Sequence, residues 1–200
     1  MRMLICVGML FLLYAQPVSS LSEAKQKHIV EIFNKFRAWF ANGMKISNMN
    51  ELKYNSSLER EVPTCAIADK HFNREDHRVL YMHSLDELKV DPKHVITAKD
   101  RAEILEGKHP DSLFVLRPNN PIHTGIGCVQ MFERCKFTFD PEKEARSRMP
   151  RRSEREEEMY MCFFGPENID PMSKLKRGDA GTECSNGKSN VSKSLCKVKS

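Results

Sequence analysis

The placement of the cysteines constrains this chain more than any other feature. Seven occur in 200 residues, and Cys6 lies inside an apolar N-terminal run. The remaining six are Cys65, Cys128, Cys135, Cys162, Cys184 and Cys196. An even set in a secreted chain predicts three disulfides, although six cysteines allow fifteen pairings and the sequence does not choose among them.

The N-terminus indicates the compartment. Arg2 precedes an apolar run over residues 3–15, and small residues follow up to Ser20. This order is typical of a secretory signal peptide, which we assign to residues 1–20. The run, about 13 residues long, is shorter than the roughly 20 needed to span a bilayer. We therefore expect a secreted, extracellular protein without a transmembrane anchor, glycosylated at the Asn55 and Asn190 sequons.

Charge and length narrow the class of protein further. The formal net charge is +5, spread along the chain. No basic stripe is interleaved with aromatic residues, so the sequence does not indicate a nucleic-acid-binding protein. We expect one domain over residues 21–169, interrupted by a charged loop at 141–158, and a cysteine-containing tail over 170–200 packed on that domain.

Hydrophobic periodicity predicts helices in the first half of the chain. An apolar stripe recurs every three or four residues between 22 and 42, formed by Ile29, Ile32, Phe33, Phe36 and Phe40. Ser22 is the expected N-cap, and Asn42-Gly43 the expected stop. Ser56 has capping-box spacing to Glu59 and predicts a second helix, which Pro63 would kink or delay.

A third, short helix is expected from Thr97 to Glu106, and strands are expected after it. The strand candidates are the apolar runs Ile126–Phe132, Lys136–Phe139 and Met159–Phe164. The charged segment Pro141–Glu158 lacks any core-forming period, and we interpret it as a mobile loop joining two antiparallel strands. Helices followed by strands and a disulfide-rich tail predict the α+β class.

Four short motifs together resemble the CAP superfamily, also known as SCP domains, which includes cysteine-rich secretory, antigen 5 and pathogenesis-related 1 proteins. Asn34 and Arg37 match two positions of the family's His-Asn-x-x-Arg. The other matching segments are Asn48–Tyr54, Thr124–Cys128 and Cys162–Ile169, followed by Cys184 and Cys196. The resemblance implies a three-layer α-β-α sandwich around a small antiparallel sheet, stabilised by disulfides. It also implies signalling, defence or host-interaction roles, with sterol or lipid binding in some members.

The metal-binding cleft of many family members is not carried over. His71 lies nearest to the position of the first family histidine, two residues late. The Gly-Glu-Asn motif is missing between Val79 and His94, and the second histidine position falls on Phe114. One histidine is not a metal site, so we expect no metal, cofactor or catalytic residue. The predicted function is non-enzymatic binding of an unknown extracellular protein or lipid.

Several alternatives remain open at this stage. His71, Glu75, His77 and His83 cluster in sequence and would be needed for a metal-dependent extracellular hydrolase. The Phe33–Phe40 stripe would line a pocket in a sterol or lipid carrier, or else form ordinary core. Arg151-Arg152 would be a processing site or docking patch if the charged loop is more than a solvated insertion.

Overall fold

The computed structural model describes most of the chain after residue 20. The described residues are 21–62, 64–71, 78–82, 84–89, 95–106, 108, 115–131 and 159–199, without the side chains of 69, 71 and 87. Three predictions lie outside these residues: the signal peptide at 1–20, the strand Lys136–Phe139 and the charged loop at 141–158.

The long first helix, α1, spans Glu23–Met44 and confirms the predicted stripe. Its N-cap is Ser22, whose side chain accepts a hydrogen bond from the Lys25 N–H. The predicted stop is wrong by two residues, because Lys45 takes the left-handed conformation that ends the helix. Gly43 instead lies inside the helix, where an added Cβ would come within 2.6 Å of Ile96.

The sheet contains four strands in the order β1-β3-β4-β2. These are β1 Lys53–Tyr54, β2 Val79–Met82, β3 Gly125–Met131 and β4 Met159–Gly165. β4 pairs antiparallel with both β3 and β2, whereas the predicted pairing across the charged loop stays a prediction, because the Lys136–Phe139 segment lies outside the described residues. The two-residue edge strand β1 pairs parallel with β3, so the sheet is mixed and not purely antiparallel. Sequence reasoning missed both β1 and β2.

Both faces of the sheet are buried. Alternate residues of β4 point to opposite sides, with Cys162 and Phe164 in one apolar cluster and Met161 and Phe163 in another. The first cluster contains α1 residues, and the second contains residues from Val62 and the helix α2, Cys65–His71. A sheet covered on both faces explains why β2, β3 and β4 are apolar without alternation.

The predicted second helix is wrong in place and type. A single 3₁₀ turn spans Ser56–Leu58, and Asn55 caps it rather than Ser56. The α-helix begins only at Cys65, after Pro63, because proline prevents the helix from continuing through that position. The third helix, α3, spans Ala98–Leu105 and confirms the predicted short helix, and a capping box formed by Thr97 and Asp100 begins it.

Gly127 lets the 3₁₀ turn approach β3, and its replacement is expected to destabilise the protein. A methyl group there would lie 2.7 Å from the Asn55 carbonyl oxygen and 2.8 Å from the Glu59 backbone nitrogen. Because backbone must shift to admit it, Gly127→Ala should lower the free energy of unfolding by about 1–3 kcal/mol. Gly125→Ala is the matched control, since its methyl would meet the adaptable Leu58 side chain at 3.2 Å. Equal losses in urea unfolding would contradict this explanation.

Residues 45–51 hold the C-terminal tail against the domain. Ser47 N–H donates to the Lys176 carbonyl at 3.0 Å, and the Glu183 N–H donates to the Ser47 carbonyl at 3.1 Å. Cys196 N–H donates to the Met49 carbonyl at 2.7 Å. Leu195 is fully buried in a third apolar cluster with residues of α1. The tail is thus fixed mainly by backbone hydrogen bonds and one apolar anchor.

Candidate functional site

The two α1 residues that carry the family resemblance bind backbone groups. Asn34 pairs twice with the backbone of Leu52: its side-chain nitrogen donates to the carbonyl at 2.9 Å, and its oxygen accepts from the N–H at 2.8 Å. Arg37 is fully buried and donates to carbonyl oxygens of Asn50, Pro118, Asn120 and His123. Both side chains therefore fix the segments that follow α1 and precede β3.

The turn before β3 collects further buried polar side chains. Arg117 Nη1 donates to the Val79 carbonyl at 3.0 Å, which ties this turn to β2. Asn120 Nδ2 donates to the Ile169 carbonyl at 2.8 Å. The His123 ring stacks on Phe164 with centroids 5.7 Å apart, and its Nε2 lies 3.0 Å from the Glu167 carbonyl oxygen. These contacts join helix, sheet and the segment after β4 into one framework.

The electrostatics of this framework suit structure rather than proton transfer. Burial lowers the pKa of Arg37 to about 9, so the guanidinium stays charged at neutral pH and keeps its carbonyl partners. Near β1, burial raises the pKa of Tyr54, and the hydrogen bond to Glu59 at 2.7 Å raises it further. Tyr54 therefore remains neutral at physiological pH and holds Glu59 beside the Cys128 backbone.

The candidate metal ligands fall largely outside the structural description. His71 ends α2, and its side chain lies outside the described residues, as do Glu75, His77, His83 and Phe114. Across the ranges that the structure does describe, no three His, Cys, Asp or Glu side chains converge closely enough to hold a metal ion. The part of the framework that is described thus offers no donor set that fits such an ion.

Two disulfides join described cysteines. Cys128 and Cys162 lie directly opposite each other on β3 and β4, with Cα atoms 4.1 Å apart. Cys184 and Cys196 close a short loop of the tail. Cys65 is also disulfide-bonded, while Cys135 lies outside the described residues. The sequence left the pairing of the cysteines open. For Cys128 and Cys162 the pairing follows from the register of β3 against β4.

Both sequon asparagines are exposed. Asn55 caps the 3₁₀ turn, and its side-chain oxygen accepts from the Ser57 N–H at 3.0 Å and the Ser57 hydroxyl at 2.7 Å. Asn190 follows the buried Ser189, whose hydroxyl donates to Glu51. Glycosylation at Asn55 and Asn190 remains a prediction, and the exposure of both side chains is compatible with it.

The aromatic stripe of α1 belongs to the core. Phe33, Phe36 and Phe40 are at most 6% exposed and pack in the clusters on the sheet and under the tail. Phe33 meets Phe164 edge to face with centroids 5.5 Å apart. The ordinary interpretation of this stripe as core is thus confirmed, and its side chains do not line an open pocket.

Comparison with known proteins identifies the fold. The crystal structure of hookworm platelet inhibitor superposes with a TM-score of 0.51 at 16% identity, covering 91% of this chain and 94% of that one. The crystal structure of NaASP2 with Zn2+ gives a TM-score of 0.46 at 15% identity, covering 90% of this chain and 98% of that one. No family model and no curated protein sequence matches the chain.

The likeness spans nearly the whole of both chains, so it concerns the complete architecture and not one motif. It agrees with the resemblance drawn from Asn34, Arg37 and the Cys162–Ile169 segment, all of which have structural roles in the described framework. The chain therefore shares its fold with hookworm platelet inhibitor.

Proposed function

We propose that this protein is a secreted, non-enzymatic CAP-superfamily member that acts by binding an extracellular partner through its surface. Its domain would be a three-layer α-β-α sandwich, with α1 on one face of the sheet and α2 on the other. Disulfides support an oxidising compartment, since such bonds persist outside the cytosol. Among the described helices, none is long and apolar enough to cross a bilayer.

The proposal rests mainly on the contacts and burial of the two motif residues that this sequence retains. Asn34 and Arg37 bind backbone groups and are nearly or fully buried, so they serve the framework and do not face a ligand. Counted back without gaps, the family's second histidine position falls on Phe114, and the Gly-Glu-Asn motif is missing from residues 79–94. What remains for function is the surface, and the similar hookworm protein is named as a platelet inhibitor.

The proposal is tested by titrating fluorescently labelled, secreted protein onto platelets and a panel of adherent cells. We expect saturable binding that excess unlabelled protein displaces. Protein that has been reduced and alkylated is the control, because it loses the framework but keeps the charge. Binding that rises without saturation, or that the control reproduces, would contradict partner recognition.

The same preparation separates the alternatives. A lipid carrier would release a stoichiometric lipid on organic extraction and mass spectrometry. A metal-dependent hydrolase would contain a stoichiometric metal and turn over substrate until chelation. Either result, without saturable cell binding, would replace the proposed function.

A further inference from the structure

The tail presents the tripeptide Arg177-Gly178-Asp179 on the surface of the domain. Arg177 and Asp179 are both exposed, and Gly178 between them is half-buried. Arg177 itself forms an isolated bridge with Ile46, directly after Lys176, whose carbonyl accepts from the Ser47 N–H. The tripeptide therefore stands at the end of a fixed segment and not within a free terminus.

Backbone contacts hold the tripeptide from both sides. Gly178 N–H donates to the Lys45 carbonyl at 3.0 Å, while the Asp179 carbonyl accepts from the Thr182 N–H at 3.2 Å and hydroxyl at 2.7 Å. The Cys184–Cys196 disulfide begins five residues after Asp179. Restraint of this kind favours binding, since less conformational freedom is lost when a partner docks.

The Asp179 carboxylate is available to a partner. Its side chain is 80% exposed and lies 3.2 Å from Lys45 Nζ, which is itself 63% exposed. Surface ion pairs of this kind contribute little to stability, so a stronger ligand can displace the ammonium group. A carboxylate oxygen is a preferred ligand of Mg²⁺ and Ca²⁺.

The Arg177 guanidinium is held but not enclosed. Nη1 donates to the Met44 carbonyl at 2.7 Å and fixes the direction of the side chain. A guanidinium carries five N–H donors, so this bond leaves donors for a carboxylate of a partner. Lys174 and Lys176 are exposed in the same segment, and the charge of Lys176 is offset by its pairing with Glu183 at 2.9 Å.

The fold requires the glycine, whereas among the described residues it uses the side chains of Arg177 and Asp179 only through one contact each, with the Met44 carbonyl and the Lys45 ammonium group. Gly178 has φ +151°, and an added Cβ would lie 3.3 Å from Ser47, so another residue would be strained. Asp179 fixes Thr182 through its backbone carbonyl, which any residue supplies. The charges at 177 and 179 are thus compatible with recognition beyond the requirements of folding.

We propose that Arg177-Gly178-Asp179 is a docking site for a cell-surface adhesion receptor of the integrin class. Such a receptor binds the Asp179 carboxylate through a divalent cation and the Arg177 guanidinium through an acidic pocket. The inference rests on the proposed function and names the class of partner. Binding then depends on the divalent cation of the receptor and on the Asp179 carboxylate of this protein. An experiment can remove each of them separately.

The test measures binding of the full-length secreted protein to purified, immobilised ectodomains of integrins that recognise Arg-Gly-Asp, in Mg²⁺ and Mn²⁺. Asp179→Glu keeps the charge but displaces the carboxylate by one methylene, and it should weaken binding at least about tenfold. Glu183→Asp is the matched control, because Glu183 is an exposed tail carboxylate paired with Lys176. This control should bind as the wild type does.

Two further arms use the unaltered protein. Chelation of the divalent cation and an Arg-Gly-Asp peptide should each abolish binding, while an Arg-Gly-Glu peptide should have little effect. No binding to any ectodomain, or binding unaffected by both the peptide and Asp179→Glu, would overturn the inference. Saturable cell binding that resists the same peptide would overturn it too, yet leave the proposed function standing.

Discussion

Replacement of Arg37 by methionine is expected to lower the free energy of unfolding by about 3–5 kcal/mol. The side chain is fully buried and donates to carbonyl oxygens of Asn50, Pro118, Asn120 and His123. Methionine fills much of the volume but donates nothing, so these carbonyls lose a partner in a site closed to water. Each unsatisfied buried group costs about 1–3 kcal/mol, moderated by relaxation of the turn.

The comparison variant is Lys35→Met on the same helix. Lys35 is 72% exposed and pairs with Glu31 one turn earlier, so its loss should change stability by less than about 0.5 kcal/mol. Urea unfolding at neutral pH with the disulfides intact measures both variants. A loss for Arg37→Met as small as that of Lys35→Met would show that the turn before β3 does not depend on this guanidinium.

Removal of the Cys128–Cys162 disulfide is expected to destabilise the protein by about 4 kcal/mol. The bond joins residues 34 positions apart, and opening it returns the conformational freedom of that loop to the unfolded chain. Both cysteines are fully buried at the centre of the sheet, so Cys128→Ala/Cys162→Ala also removes packed atoms. Urea unfolding, judged with the sheet signal in far-ultraviolet circular dichroism, measures the effect.

The second pair provides the internal comparison. Cys184 and Cys196 are 12 positions apart, and the same entropic account gives a loss of about 3 kcal/mol for their replacement by alanine. In urea, the tail of this variant should unfold at a lower concentration than the sheet, because the bond lies wholly within the tail. A larger loss for the tail pair than for the sheet pair would contradict this ranking.

Strong local signals in the sequence predicted the longest elements of the fold. The stripe of α1 and the apolar runs of β3 and β4 each follow from spacing or composition. β1 and β2 were missed for a different reason. β1 has two residues and β2 has four, so neither is long enough to show hydrophobic periodicity. Both depend on pairing with a longer strand, β1 with β3 and β2 with β4.

The roles of the candidate-site residues were harder to predict, because they depend on whether each side chain is buried and what it contacts. Asn34 and Arg37 are polar residues in a helix, and the sequence alone does not say whether they face solvent, a ligand or backbone. The structure places both against backbone groups. Arg177-Gly178-Asp179 was also missed as a site, because the tail was interpreted as loop, and only its anchoring to residues 45–51 separates it from an ordinary polar turn.

We expect this protein to act without the metal-binding cleft that many CAP-superfamily proteins contain. A calorimetric titration of zinc into the purified, metal-free secreted protein, together with its metal content as isolated, tests this claim most directly. We expect no stoichiometric metal and no saturable heat, because one histidine near the family position is not a metal site. A tight one-to-one zinc site would contradict the claim and point to the His71, Glu75, His77 and His83 segment as a new metal centre.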